Sequence, residues 1–274
     1  MQAALTAAWT THVPVIQRSS PASLVARLLS SRVPSIHSYT FIDFCAGAGG
    51  PTPEIEKHLN SSLVGSSKTT SNTSYAEAAS APPPVRFILT DLHPHVDSWS
   101  AAAQRSPNVS FVPTSVDASS APADLIRQED GKKVFRLFNL AFHHFDDNLA
   151  RKILKNTVDT SDGFGIFELQ DRSFGGGFLT CCLFGLGTLL AAPYYAIMWG
   201  APMALIFTYI LPALPFVLVF DGWMSSLRTR TAAEVENMLR GCGGEGVEKW
   251  EVSSGSESFM WPVGRVNWVI GLKK

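Results

Sequence analysis

From Gly175 to Phe220 the chain runs for 46 residues without an Asp, Glu, Lys, Arg or His. Phe178–Trp199 and Ala201–Phe220 each approach the ~20 apolar residues that a helix needs to cross a bilayer. Between them, Trp199-Gly-Ala-Pro202 is a turn signal with almost no polar content. Strand-like segments flank the stretch on both sides. If they belong to one domain, the chain must return to the side it left, which requires an even number of crossings or none. A helical hairpin over 174–220 meets that condition, either spanning the membrane or dipping into it. Pro193, Pro202, Pro212 and Pro215 would kink such helices, which membranes tolerate. Tyr194, Tyr195, Trp199 and Tyr209 are candidate interface anchors, and Arg172, Arg228 and Arg230 put basic residues on the domain side, as expected of a cytoplasmic face. The competing arrangement is a helical pair buried in a soluble core. A domain of 274 residues has little room to hide so long an uncharged stretch beyond its own sheet.

The remainder reads as a soluble domain. A formal net charge of −1 and the lack of a basic stripe give no electrostatic case for nucleic acid as a partner. Cys45, Cys181, Cys182 and Cys242 form no CxxC pair and no metal-type spacing, as expected of reduced thiols. The first 42 residues hold Arg18, Arg27 and Arg32 and no acid, a composition shared with mitochondrial presequences. The alternative is a helical lead-in over 1–40, since Ser23-Leu-Val-Ala-Arg-Leu-Leu has helical spacing after Pro21. Residues 61–84 are mostly Ser, Thr, Ala, Asn and Pro and are expected to form a flexible surface insertion.

Phe41-Ile-Asp-Phe-Cys-Ala-Gly-Ala-Gly-Gly-Pro-Thr-Pro-Glu reads as a short strand, a small-residue turn over Cys45–Gly50 and a helix opening near Thr52-Pro53. Pro53 suits the first helical turn and Glu54 the positive end of the helix dipole. Further strands are expected at Val85–Thr90, Val109–Val112, Phe135–Phe142 and Gly163–Gln170, with helices between them. Such alternation implies a doubly wound, mostly parallel sheet over 41–173. After the hairpin, residues 221–274 resume this α/β core. Thr231-Ala-Ala-Glu234 is a capping box that opens a helix. Val247–Val252 and Arg265–Leu272 read as closing strands joined by a 255–264 loop.

Asp43-x-Cys45-x-Gly47-x-Gly49 resembles the first motif of the class I S-adenosylmethionine-dependent methyltransferases, with Cys45 where the first glycine is usual. The dehydrogenase fingerprint is not matched, because its third glycine would fall at Thr52. Asn139-Leu-Ala-Phe-His-His-Phe145 resembles the family's fourth-strand motif, and Asp221-Gly-Trp-Met-Ser-Ser-Leu-Arg resembles a block of some members, with Arg230 replacing a tyrosine. The resemblance covers about 41–173 and 221–274. It implies a Rossmann-like seven-stranded sheet that ends in an antiparallel pair, with S-adenosylmethionine as cofactor. By that resemblance Cys45, Gly47 and Gly49 hold the cofactor's amino-acid end with Asp43 close by, Asp91 binds the ribose, Asp117 the adenine, and Asn139 belongs to the same site. His143 or His144 is a candidate base toward the methyl acceptor, or both are structural. No geometry for a metal site among His93, His95, His143 and His144 follows from the sequence. The implied activity is methyl transfer to a small, apolar acceptor, with membrane lipid as the hairpin's partner. The competing class is a non-catalytic membrane scaffold or cofactor sensor that keeps the fold.

Overall fold

Six-residue runs such as Tyr-Thr-Phe-Ile-Asp-Phe are mostly apolar and form strands covered on both faces. In the computed structural model, which describes residues 9–10, 12, 17–69, 83–127, 131–198 and 200–274, β1 (Tyr39–Phe44) is buried at every position. It is followed by α2 (Thr52–Thr69), with α1 (Pro21–Arg32) preceding it. Next come β2 (Arg86–Thr90), α3 (Val96–Arg105), β3 (Val109–Phe111), the short α4 (Ala123–Ile126), β4 (Lys133–Asn139), α5 (Asp147–Thr160) and β5 (Gly163–Glu168). A π-helical turn, Phe174–Leu179, leads into α6 (Thr180–Met198). After a second π-helical turn, Ile206–Ile210, the chain forms α7 (Ala213–Arg228), α8 (Ala232–Arg240), β6 (Trp250–Met260) and β7 (Gly264–Lys273). The seven strands lie in the order β3-β2-β1-β4-β5-β7-β6. β1 to β5 are parallel, and β7 runs antiparallel to both β5 and β6.

The sheet is packed on both faces. On one, α1 and α2 lie against stacked Phe41, Phe87 and Phe135. On the other, α5 and α8 cover Ile42, Phe138 and Ile166. That second layer contains Arg136, whose fully buried guanidinium donates to Ser161 Oγ, Asn156 Oδ1, Thr160 Oγ1 and the Ala118 carbonyl at 2.6–3.1 Å. It lies over the Phe44 ring at 4.6 Å. Burial pulls the group down to about 9, which leaves it charged at neutral pH.

The structure moves several expected boundaries. Residues 61–69 are helical: α2 continues past Leu59, and Leu63, one turn on, packs on the core. Residues 70–82 of the expected insertion lie outside the described residues, as does Trp199. The expected 255–264 loop is strand, because β6 pairs with β7 as far as Met260↔Gly264. Gly255 allows this, since a side chain there would collide with the Trp268 ring. β4 stops at Asn139, and Phe142–His144 forms a 3-10 turn. The helix carrying Asp221 is continuous with the hairpin and runs to Arg228, so the 221–228 block belongs to the hairpin's second leg.

Of the apolar stretch, one helix, Phe174–Met198, is long and apolar enough to cross a membrane; the second leg is a pair bent by 73°. The legs meet along small residues. A Cβ on Gly185 would lie 2.3 Å from Val219 Cγ2, and one on Gly222 would lie 2.8 Å from Cys181 Sγ. Small-residue seams of this kind let helix backbones approach closely where apolar burial offers no driving force. Their outer surfaces remain bare. Among the described residues, 18 of the 23 exposed large apolar side chains lie between Phe174 and Leu227. The hairpin is therefore not a buried pair in a soluble core.

Arg136→Ala strips four neutral oxygens of their donor and opens a cavity, so it should destabilise the domain by about 3 kcal/mol or more in urea denaturation.

Candidate cofactor and acceptor site

The order of strand addition reverses between β1 and β4, and in open α/β sheets the crevice beyond the strands' carboxyl ends at that point takes ligands. The turn after β1 occupies it. Cys45 (φ 66°) and Gly49 (φ 103°) both adopt the left-handed region. That conformation explains why a glycine is usual at position 45, and an L-residue there costs about 1–2 kcal/mol. The turn is fixed from β2. Asp91 accepts the Gly47 N–H at 2.8 Å and its own loop's His93 N–H at 2.8 Å, and Ala46 N–H donates to the Thr90 carbonyl at 3.0 Å. From below, fully buried Trp99 donates its indole N–H to the Gly47 carbonyl at 2.8 Å.

Asp43, 1% exposed, ends β1 beneath the turn. Thr52 Oγ1, at the start of α2, donates to its Oδ2; Asn139 Nδ2, at the end of β4, lies 3.4 Å from the same oxygen and 3.1 Å from Thr52 Oγ1. Among the described residues, no cationic side chain joins this network. Burial pushes the Asp43 carboxyl up to about 7, against the opposing pull of the Thr52 and Asn139 hydrogen bonds. Asp43 Oδ1 and Asn139 Oδ1 are both buried without a donor. Burial, with Asp91, Asp43 and Asp117 nearby, pushes the Cys45 thiol up to about 12, so it is a neutral thiol and not a nucleophile.

Asp117 is exposed, and its Oδ1 caps the following turn by accepting from Ser119 N at 2.7 Å and Ser119 Oγ at 2.8 Å. It lies beside Asp91, because the preceding Val116 N–H donates to the Asp91 carbonyl at 2.9 Å. Asp43, Cys45, Gly47, Gly49, Asp91 and Asn139 are thus brought together, with Asp117 at the rim.

The two histidines separate. His143 is buried and its Nδ1 lies 2.9 Å from Oε2 of buried Glu168, at the end of β5. His144 is on the surface with its ring centroid 4.2 Å from that of His143; partial burial and His143 hold it below its ordinary value. Glu168 Oε1 has no donor. Glu168 also lines a cavity of about 300 Å³ beneath α8, with Phe142, Ile166, Val235, Asn267 and Val269. Arg230, 7% exposed in its side chain, donates to the Phe142 and Phe145 carbonyls at 3.1 and 2.7 Å and pairs with Asp147 at 2.8 Å. It therefore fixes the histidine turn from the foot of the hairpin. Among the described residues, no group of three or more His, Cys, Asp or Glu side chains is placed to hold a metal.

Thr52, Trp99, Glu168 and the clamp at Arg230 were not foreseen. Glu168 had a legible signal, an acid closing an otherwise apolar strand, as Asp43 closes β1.

Five parallel strands ordered 3-2-1-4-5, completed by an antiparallel 7-6 pair with the acid-glycine turn at the reversal, decide the architecture. The fold is that of a class I S-adenosylmethionine-dependent methyltransferase. No family model matches the chain, and no curated protein matches it. Among solved structures, it is similar to the pyocyanin biosynthetic protein PhzM, at 14% identity and a TM-score of 0.48, over 92% of this chain and 55% of that one. Human N-acetylserotonin methyltransferase, solved in complex with SAM, is similar at 13% identity and a TM-score of 0.44, over 92% and 51%. A SAM-dependent methyltransferase from Anabaena variabilis is similar at 13% identity and a TM-score of 0.49, over 100% and 93%. The chain spans little more than half the length of the first two. These likenesses are of fold alone, and the methyltransferase architecture is assigned on strand order, not on them.

The raised Asp43 carboxyl has a measurable consequence. The folded protein keeps this proton over a range where the unfolded chain, near 3.8, has lost it. The associated stability is fully present below about pH 4 and is lost as pH rises through about 7. In the ligand-free protein, Asp43→Asn should therefore gain stability relative to the parent between about pH 4 and about pH 8, read by thermal unfolding.

Proposed function

We propose that this chain is a membrane-seated S-adenosylmethionine-dependent methyltransferase acting on a small, apolar acceptor. The observation that carries the reading is the pair of buried, donorless oxygens on Asp43 and Asn139, beside a small-residue turn braced by Asp91. Buried acceptors without partners are costly unless a ligand supplies the donors. An amino-acid moiety, with its ammonium group and carboxylate, suits acceptor oxygens set next to backbone N–H groups. Asp91, only half-buried, is positioned to accept from a ribose diol, with Asp117 at the adenine end.

Bound there, the cofactor supplies a methyl group already activated on a sulfonium, so the protein's part is orientation, exclusion of water and handling of the acceptor's proton. Asp43 and Asn139 orient the ligand, and the Phe142–His144 turn, held by Arg230, closes the crevice beside it. With Glu168 as a carboxylate accepting from Nδ1–H, His143 keeps Nε2 as its basic nitrogen. In this reading His143 is the base and Glu168 its orienting partner, while His144 remains a surface neighbour. The cavity next to Glu168, mostly apolar in its lining, is the acceptor's place. The bare apolar surface of the hairpin supports a bilayer location, and Arg228, exposed at its exit, fits a cytoplasmic domain.

Calorimetry on detergent-solubilised protein should show S-adenosylmethionine binding that Asp91→Ala abolishes. Absence of binding by folded parent protein would overturn the cofactor assignment in favour of a scaffold. Once an acceptor is found by screening membrane-soluble hydroxyl and phenol compounds, His143→Gln should lower kcat by about 10²–10⁴-fold with cofactor affinity unchanged.

A further inference from the structure

The hairpin's geometry sets how deep it goes. Asp221 is exposed, and its neighbour Gly222 touches Cys181 across the seam, so Asp221 and Cys181 share one level. An exposed carboxylate stays at the headgroups or in water. From Cys181 to the end of α6 at Met198 there are 17 residues, roughly 25 Å of helix, against a hydrocarbon core of ~30 Å. Any tilt, and the proline at 193, shortens that reach. The second leg is shallower still. Only Ala213–Phe220 lies between Asp221 and the 73° bend, roughly 12 Å of helix.

The tip is built for a medium without water. Gly200 N–H donates to the Ile197 carbonyl at 3.2 Å and Ala201 N–H to Ala196 at 2.9 Å. Ala204 N–H reaches Ala201 at 3.0 Å and Leu205 N–H reaches Pro202 at 3.0 Å, while Pro202 itself has no N–H to satisfy. Tyr209 donates its hydroxyl to the Leu189 carbonyl on the facing leg. Around these paired groups, Leu190, Ile197, Met198, Met203 and Ile210 are all more than half exposed. Irregular backbone at membrane depth is tolerated only when its polar groups are paired within the protein. The exposed residues form an outer row on each leg, Leu186, Leu190 and Tyr194 on α6 and Phe216, Phe220 and Met224 on α7, and continue over the tip, so the apolar surface follows the whole hairpin, as a covering of acyl chains requires.

We infer that the hairpin is re-entrant. It enters and leaves through the same membrane face, its tip ends inside the hydrocarbon, and no part of it reaches the far aqueous side. This rests on the membrane location proposed above. The depth follows from the Asp221 level, the bend and the paired tip, and its partner is lipid acyl chains.

The test uses the full chain carrying Met203→Cys, reconstituted into sealed phosphatidylcholine vesicles. A membrane-impermeant maleimide is applied from outside, or trapped inside, and modification is read at each cysteine by mass spectrometry. Ser258→Cys on β6 serves as the domain-side control. The expected result is that the cysteine at 203 is protected from both sides and modified only after detergent is added. Ser258→Cys should be modified from the domain side throughout. Modification at 203 from the side opposite the domain, in intact vesicles that float with the protein, would overturn re-entry while leaving the membrane location standing. Failure to float, with a discrete soluble oligomer in detergent-free buffer, would remove the membrane location and this inference with it.

Discussion

A buried carboxyl group with no cationic side chain against it, among the described residues, lies at the sheet's carboxyl edge, and the surrounding architecture is arranged to make that tolerable. Asp43 is reached by one donor from the start of α2 and one from the end of β4, so the network ties the first helix to the strand on the far side of the reversal. The turn above it is bound to β2 through Asp91 and to α3 through Trp99. Four elements are thus held in register around a group that water would otherwise solvate. The result is a crevice already formed before any ligand arrives, the condition under which binding loses least to ordering.

The second organising feature is the junction between a domain that folds in water and a hairpin that shuns it. Arg172 and Arg230, read from the sequence as basic residues on the domain side of the hairpin, both bind partners within the protein. Arg172 pairs with Glu234 at 2.8 Å and donates to the Leu227 carbonyl at 3.1 Å. Arg230 grips the histidine turn. The hairpin's feet therefore help to build the cavity beside Glu168, because the residues that follow the second leg line it.

Much of this was legible because it rests on local physical signals. Doubly buried strands declare themselves as apolar runs, a turn poor in side chains after an acid announces a crevice, and the Thr231–Glu234 capping box appears where its pattern predicts. What was not legible depends on pairing across distance. The serines of β6 look like loop until β7 supplies the ladder and Gly255 makes room for Trp268. Ser61 and Ser62 look like the start of a flexible insertion until Leu63 finds the core. His143 and His144 are equivalent in sequence, and only the reach of Glu168 from the neighbouring strand distinguishes them. Arg230, a departure from the family's block, gains a meaning only when the carbonyls of Phe142 and Phe145 lie beneath it.

The clamps at the hairpin's two feet lie outside the hairpin. Arg172 precedes the first leg and Arg230 follows the second, and their partners Glu234 and Asp147 belong to helices of the α/β core. An insert whose ends are pinned in this way behaves as a cassette. Its length, kinks and apolar surface can vary while the α/β scaffold keeps its registration.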